Sequence, residues 1–230
     1  MSRRQAEEAV KRGKIIINGK KCAAGQKIVP EIDEITVDGV RVAPLRKKDR
    51  KKIYMMLNKP AGVITTMNDD RGRMCIADIL KEYSGKIGGR IYPAGRLDMY
   101  SEGLLILTDD GEIANKIMHP KNQISKIYHA TLKGELNAGI IKKLAEPIEI
   151  EGKMTSPAKI GVIEMKNGKT KLKIEIFEGR NRQIRRMCEN SGLFLLKLKR
   201  ICVGKLNIGT LKPGDWRYLN RNEINYLKEL

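Results

Sequence analysis

Gly95-Arg96-Leu97-Asp98-Met99-Tyr100-Ser101-Glu102-Gly103 runs directly into Leu104-Leu105-Ile106-Leu107-Thr108. Nine mostly polar or small residues are followed by four consecutive aliphatic ones. Such an apolar run reads as a buried strand, and the polar stretch before it as a loop at a sheet edge. Asp98 is the reactive group of that loop. By composition alone it reads first as a turn-capping residue, the common role of loop aspartates.

Working outward, Asp110 caps a predicted helix over Gly111–Met118, with Ile113, Ala114, Ile117 and Met118 on its apolar face and Pro120 beyond its end. Upstream, Tyr54–Leu57 and Val63–Thr66 read as strands flanking the turn Lys59-Pro60-Ala61-Gly62. Downstream, Ile127–Lys133 is a predicted strand and Asn137 opens a helix through Leu144. Lys171–Ile176 alternates, with Leu172, Ile174 and Ile176 facing inward. Arg182–Asn190 is a predicted helix, with Ile184, Met187 and Cys188 inward and Arg182, Arg185, Arg186 and Glu189 outward. Strands return through Phe194–Val203. Strands outnumber helices and tight turns join them. The expectation is an α+β fold: a mixed, largely antiparallel sheet with flanking helices.

The N-terminal stretch forms a second, smaller α+β unit. Ser2 and Gln5 frame a helix start, Gly13 follows its end, and Ala6, Ala9 and Val10 share a face. Lys14–Ile17 turns at Asn18-Gly19, and Glu34–Val37 turns at Asp38-Gly39 into Val40–Val42. The run Arg46-Lys47-Lys48-Asp49-Arg50-Lys51-Lys52 reads as a solvated boundary. The expected division is 1–46, a basic linker at 47–52, and 53–230.

The charge is lopsided. In 230 residues, 46 Lys+Arg face 27 Asp+Glu, a formal net charge of +19. An excess of this size repels itself and points to an anionic partner. It gathers in two blocks. Residues 1–52 hold 15 Lys+Arg and 7 Asp+Glu, a net of +8; residues 169–205 hold 11 and 3, again +8. A footprint in two parts suits a long polyanion better than a small ligand. In the second block, Arg180, Arg182, Arg185 and Arg186 enter a helix N-terminus where backbone N–H groups also favour anions. A solvated basic helix face is the common alternative.

Several classes are disfavoured. No apolar stretch approaches the length of a membrane span, and the N-terminus has no signal-peptide pattern. A membrane-surface role would need a longer cationic amphipathic helix than Arg182–Asn190. Cys22, Cys75, Cys188 and Cys202 form no metal-ligand pattern and read as small reduced core residues of a cytoplasmic protein. With only His119 and His129, no metal site is expected. Aromatic residues make up 4%, too few for serial base stacking but enough to hold one base.

The chain resembles the RsuA/RluB family of RNA pseudouridine synthases over nearly its whole length. Four motifs in order carry the resemblance: Leu57-Asn58-Lys59-Pro60-Ala61-Gly62-Val63, Gly95–Gly111 around Asp98, Lys126-Ile127-Tyr128, and Glu178–Met187 with its Gly-Arg-Asn-Arg-Gln-Ile-Arg-Arg-Met run. The N-terminal unit resembles an S4 RNA-binding domain through Ser2-Arg3-Arg4, Ile17-Asn18-Gly19 and Asp33–Gly39. Family members carry a further helix ahead of that segment, so the unit is expected to be shortened.

The resemblance implies that uracil is detached from its ribose, rotated and rejoined through carbon, without cofactor or metal. It assigns the essential carboxylate to Asp98, an ion pair that keeps Asp98 ionised to Arg185, and base stacking to Tyr128. Glu102 has at most a positional role, and Leu104 and Ile184 are expected as apolar walls. Extruding a nucleotide from its stack requires about a few kcal/mol, and Arg96 is the candidate to fill the gap. Arg71, Arg73, Arg180, Arg182, Arg3 and Arg4 are the other expected RNA contacts. The implied partner is ribosomal RNA, most closely that of the large subunit, with a monomer expected. Small-subunit RNA, tRNA and a purely RNA-binding role are the alternatives.

Overall fold

A computed structural model describes residues 3–29, 32–42, 51–81 and 91–230. The chain divides into two compact units, Met1–Lys51 and Lys52–Leu230. Of the basic linker expected at 47–52, only Lys51 and Lys52 are among the described residues.

The first unit has one helix, α1 (Arg3–Lys11), and a four-stranded antiparallel sheet. Its strands are β1 (Ile15–Ile17), β2 (Lys20–Lys21), β3 (Ile35–Val37) and β4 (Val40–Val42), in the order β2-β1-β3-β4. Both hairpins turn where the sequence placed them. Asn18-Gly19 and Asp38-Gly39 all take positive φ, the geometry that matches strand twist in a two-residue turn. Ala9 and Ile17 are buried.

The second unit is built on a nine-stranded sheet. Its elements are β5 (Tyr54–Lys59), α2 (Ile76–Leu80), β6 (Tyr92–Pro93), β7 (Glu102–Thr108), α3 (Gly111–Met118), β8 (Lys126–Lys133) and α4 (Ala138–Ala145). There follow β9 (Glu149–Ile150), β10 (Lys153–Met154), β11 (Lys159–Lys166), β12 (Lys169–Ile176), α5 (Gln183–Asn190), β13 (Leu195–Val203), β14 (Leu206–Asn207), β15 (Trp216–Tyr218) and α6 (Arg221–Glu229). The main order is β11-β12-β8-β13-β7-β5-β15, with β14 on β13 and β6 on β7; β9 and β10 form a separate hairpin. Within the nine strands β13 and β7 run parallel and the remaining pairs are antiparallel. The expected mixed, largely antiparallel sheet is therefore present.

Burial separates the two sides of this sheet. Every residue of β5 and nearly all of β7 are buried, so both faces of the centre are covered. Met55, Leu57, Leu105 and Leu107 join Tyr128, Ala130, Leu172 and Ile174 under α2, α4 and α5. Tyr54, Met56, Leu104 and Ile106 pack on the other side against α3 and α6. Helix starts follow their caps: Asp110 accepts from the N–H groups of Glu112 and Ile113, and Asn137 from that of Ile140.

Some expectations are corrected. Val63–Thr66 is not a strand; only Ile64 bridges, to Cys75. Its polar groups are used elsewhere, since the Thr65 hydroxyl is bonded to Leu97, 32 residues on, and the Thr66 N–H donates to the Ile64 carbonyl. Arg182 precedes its helix as the N-cap, in the left-handed region at φ 52°. Glu102 and Gly103 already belong to β7. Cys75 and Cys188 are buried as expected, but Cys22 and Cys202 are only half-buried; all four are free. Burial pushes the Cys188 thiol up to about 12. Among the described residues no helix is long and apolar enough to cross a membrane.

Candidate active site

The Arg96–Ser101 loop leaves β6 and enters β7, and residues of the first motif tie it down. The Lys59 ammonium donates to the carbonyls of Pro60 (2.8 Å), Val63 (2.6 Å) and Met99 (3.3 Å). The Gly62 N–H donates to the same Met99 carbonyl at 2.8 Å. The Thr65 hydroxyl donates to the Leu97 carbonyl at 2.7 Å and accepts from its N–H at 3.1 Å. Asp98 thus sits on a backbone fixed on either side of it.

Gly103 lets this loop meet the sheet. Its φ is +107°, and a Cβ there would lie 2.2 Å from the Arg200 carbonyl oxygen. Only glycine fits where β7 and β13 run side by side.

Arg185, from the first turns of α5, reaches the loop. Its Nη2 donates to the Tyr100 carbonyl at 3.0 Å and to the Ser101 hydroxyl at 3.2 Å. Its Nε lies 3.7 Å from Asp98 Oδ2. That Nε is buried and makes no hydrogen bond. The Asp98 side chain is 39% exposed and that of Arg185 only 16%, so the carboxylate is open to a ligand while its cation is held behind it.

Asp98, Tyr128 and Arg185 line one cavity of about 1040 Å³. Tyr128, buried on β8, forms part of its wall. Ile106, Ile184, Leu198 and Val203 supply apolar walls. Ile184 was expected there. Leu104 was too, but it does not line the cavity; it packs in the core under α3 and α6, on the same face of β7 as Ile106. Glu102 lies beside the loop and pairs with Lys197 at 3.0 Å.

The arginines singled out in the sequence divide by environment. Arg96 and Arg182 are exposed on the cavity rim, Arg182 lying 3.6 Å from Glu189. Arg180 also lines it, but its guanidinium donates to Glu178 and to the carbonyls of Ile150 and Met154. Arg71 is exposed. Arg73 holds Asp69 through Nε and Nη2, at 3.2 and 2.7 Å. Arg4 is exposed on α1 of the first unit, and the side chain of Arg3 lies outside the described residues.

Three cationic groups near the cavity were not singled out as site residues. Lys59 is fully buried, and burial pulls its pKa down to about 8 against the opposing pull of Asp98 and Glu102. Lys126 lines the cavity and is likewise pulled down to about 8, by burial and by the nearby Arg200. Arg200 is buried and donates from Nε to the Leu104 carbonyl at 2.8 Å. Lys59 and Lys126 lie inside quoted motifs, but nothing local signals their burial.

A carboxylate with a half-buried guanidinium behind it and a tyrosine in the same cavity suits chemistry on a planar, polar ligand. Comparison with known proteins specifies the class. The chain belongs to the RNA pseudouridylate synthase family, whose model matches residues 53–190. It is similar to the ribosomal large subunit pseudouridine synthase B of Bacillus subtilis (strain 168), with 42% identity over 100% of this chain and 91% of that one. An uncharacterized RNA pseudouridine synthase of Aquifex aeolicus (strain VF5) is 37% identical over 98% of this chain and 88% of its own. A solved pseudouridylate synthase superposes with a TM-score of 0.68 at 29% identity, covering 99% of this chain and 94% of that one.

Proposed function

We propose that this pseudouridine synthase isomerises one specific uridine of large-subunit ribosomal RNA, with Asp98 as its essential carboxylate. The observation that carries the reading is the convergence of Asp98, Arg185 and Tyr128 on one cavity. The 42% identical relative named for the large ribosomal subunit favours that RNA.

In this reading the target nucleotide is extruded from its stack into the cavity. Asp98 attacks C1′ or takes up a proton from the sugar. The C1′–N1 bond breaks and its electron pair leaves with the uracil. The base turns and C5 bonds to C1′, either displacing the Asp98 oxygen from C1′ or, by the other route, as Asp98 returns the proton to the sugar; C5 then gives up its proton and N1 takes one up. Atoms and electrons balance, so no cofactor or metal is required. Arg185 orients Asp98 and holds a compensating charge behind it. Tyr128 stacks on the loose base, and its hydroxyl assists the final deprotonation. The apolar walls keep water from the opened sugar.

Arg96 fills the gap left by the base or holds its phosphate. Arg71, Arg73 and Arg182 contact RNA nearby, while Arg180 acts on RNA by bracing the cavity wall. Residues 1–46 serve as an S4-like RNA-binding unit through Arg3 and Arg4, joined by the linker 47–52 to the catalytic unit 53–230. The enzyme works as a cytoplasmic monomer.

Mapping pseudouridine in ribosomal RNA from cells with and without the gene tests the substrate. One large-subunit uridine should lose its modification. A loss confined to small-subunit RNA or tRNA would redirect the substrate, and no loss anywhere would favour a purely RNA-binding role.

A further inference from the structure

Tyr128 and His129 are neighbours in sequence but lie on opposite faces of the sheet. Tyr128 points to the cavity, and alternation sends His129 and Thr131 to the other side. There the register places Lys173 and Lys199 on either side of His129, and Lys171 and Lys197 on either side of Thr131. The four lysines mark a rectangle about 7 Å along the strands and about 10 Å across them.

Lys171, Lys197 and Lys199 line a groove of about 720 Å³, and Lys173 stands at its margin opposite His129; the groove is bounded at one end by the β11–β12 turn with Lys166 and Lys169 and at another by Asn207–Gly209. Glu164 is engaged with Lys166, and Glu102 with Lys197. Lys171, Lys173 and Lys199 make no ion pair among the described residues. Burial and these three lysines all push the pKa of His129 down. Like charges on neighbouring strands destabilise a sheet.

We infer that this lysine-lined groove, on the sheet face opposite the cavity, binds the phosphate backbone of a second, double-helical segment of the RNA substrate. The inference rests on the RNA-substrate reading above. Lysine without aromatic partners fits phosphate rather than base stacking. A protein partner would be met by aromatic or arginine anchors, and the groove lining has neither. The cavity side handles one flipped nucleotide; the groove grips a different part of the fold.

The test uses the full chain carrying Lys171→Gln, Lys173→Gln and Lys199→Gln together, with the matching triple Arg variant, on a large-subunit ribosomal RNA transcript. The Gln variant should bind about tenfold more weakly near physiological salt, and the slope of log affinity against log salt should fall by about 2 to 3. The Arg variant should bind like wild type. Turnover at saturating RNA should persist in all three proteins. If affinity and salt slope are unchanged in a Gln variant that melts normally, the inference is overturned while the enzyme reading stands. If wild type modifies no ribosomal RNA, the enzyme reading fails on its own terms. Should the Gln variant not fold, lysine acetylation of the wild type decides: bound RNA should protect Lys171, Lys173 and Lys199, and unchanged labelling contradicts the inference.

Discussion

The Nε of Arg185 lies 3.7 Å from Oδ2 of Asp98, a buried donor facing the one carboxylate of the Arg96–Ser101 loop, yet too far from it for a hydrogen bond. The other arm of the same guanidinium is already fixed, on Tyr100 and Ser101. Arg185 therefore spans the loop, bonding its backbone while facing its carboxylate.

Arg185→Lys keeps the charge but loses the planar fork that does both. Turnover should fall by about a hundredfold, close to 3 kcal/mol of transition-state stabilisation. RNA affinity should change little. Single-turnover rates beside equilibrium binding check this; equal losses in both would show that Arg185 serves binding instead.

Lys126 is held near a pKa of about 8, below its ordinary 10.5. Between those values the unfolded chain binds more protons than the folded one, so stability gained from this residue rises with pH. Its penalty is fully present below pH 8 and is relieved as pH climbs toward 10.5. Lys126→Met removes the titrating group. The stability of wild type minus that of Lys126→Met should therefore increase from pH 8 to 10.5, as read from denaturant midpoints. A flat difference would contradict the assigned burial.

Gly103→Ala should be among the most damaging small substitutions in the catalytic unit. The new methyl meets Arg200 backbone at a position whose φ already disfavours any side chain. A loss of about 3 to 5 kcal/mol is expected, seen as a large fall in melting temperature or failure to accumulate. Gly134→Ala, which also has positive φ but open space around it, is the control and should cost about 1 kcal/mol.

Local features were readable from the sequence. Asp110 and Asn137 cap their helices, and Asn18-Gly19 turns its hairpin, because each signal acts within a few residues. The motif resemblance brought Asp98 and Arg185 together, although 87 positions separate them. What stayed hidden depends on distant neighbours. Val63–Thr66 has strand composition, but Leu97 claims Thr65. Lys59 looks like a polar strand end until Met99 closes over it. Gly103 is one glycine among 22 until β13 is laid against it. Leu104 and Ile106 share one face of β7, but only Ile106 reaches the cavity.

The central claim is that Asp98 performs the chemistry rather than shaping the loop. It is tested most directly by giving Asp98→Asn and wild type the same large-subunit ribosomal RNA transcript and measuring pseudouridine formed and RNA bound. Asp98→Asn should form no detectable pseudouridine, with RNA affinity and melting temperature close to wild type. Pseudouridine formed at a rate comparable to wild type would contradict it.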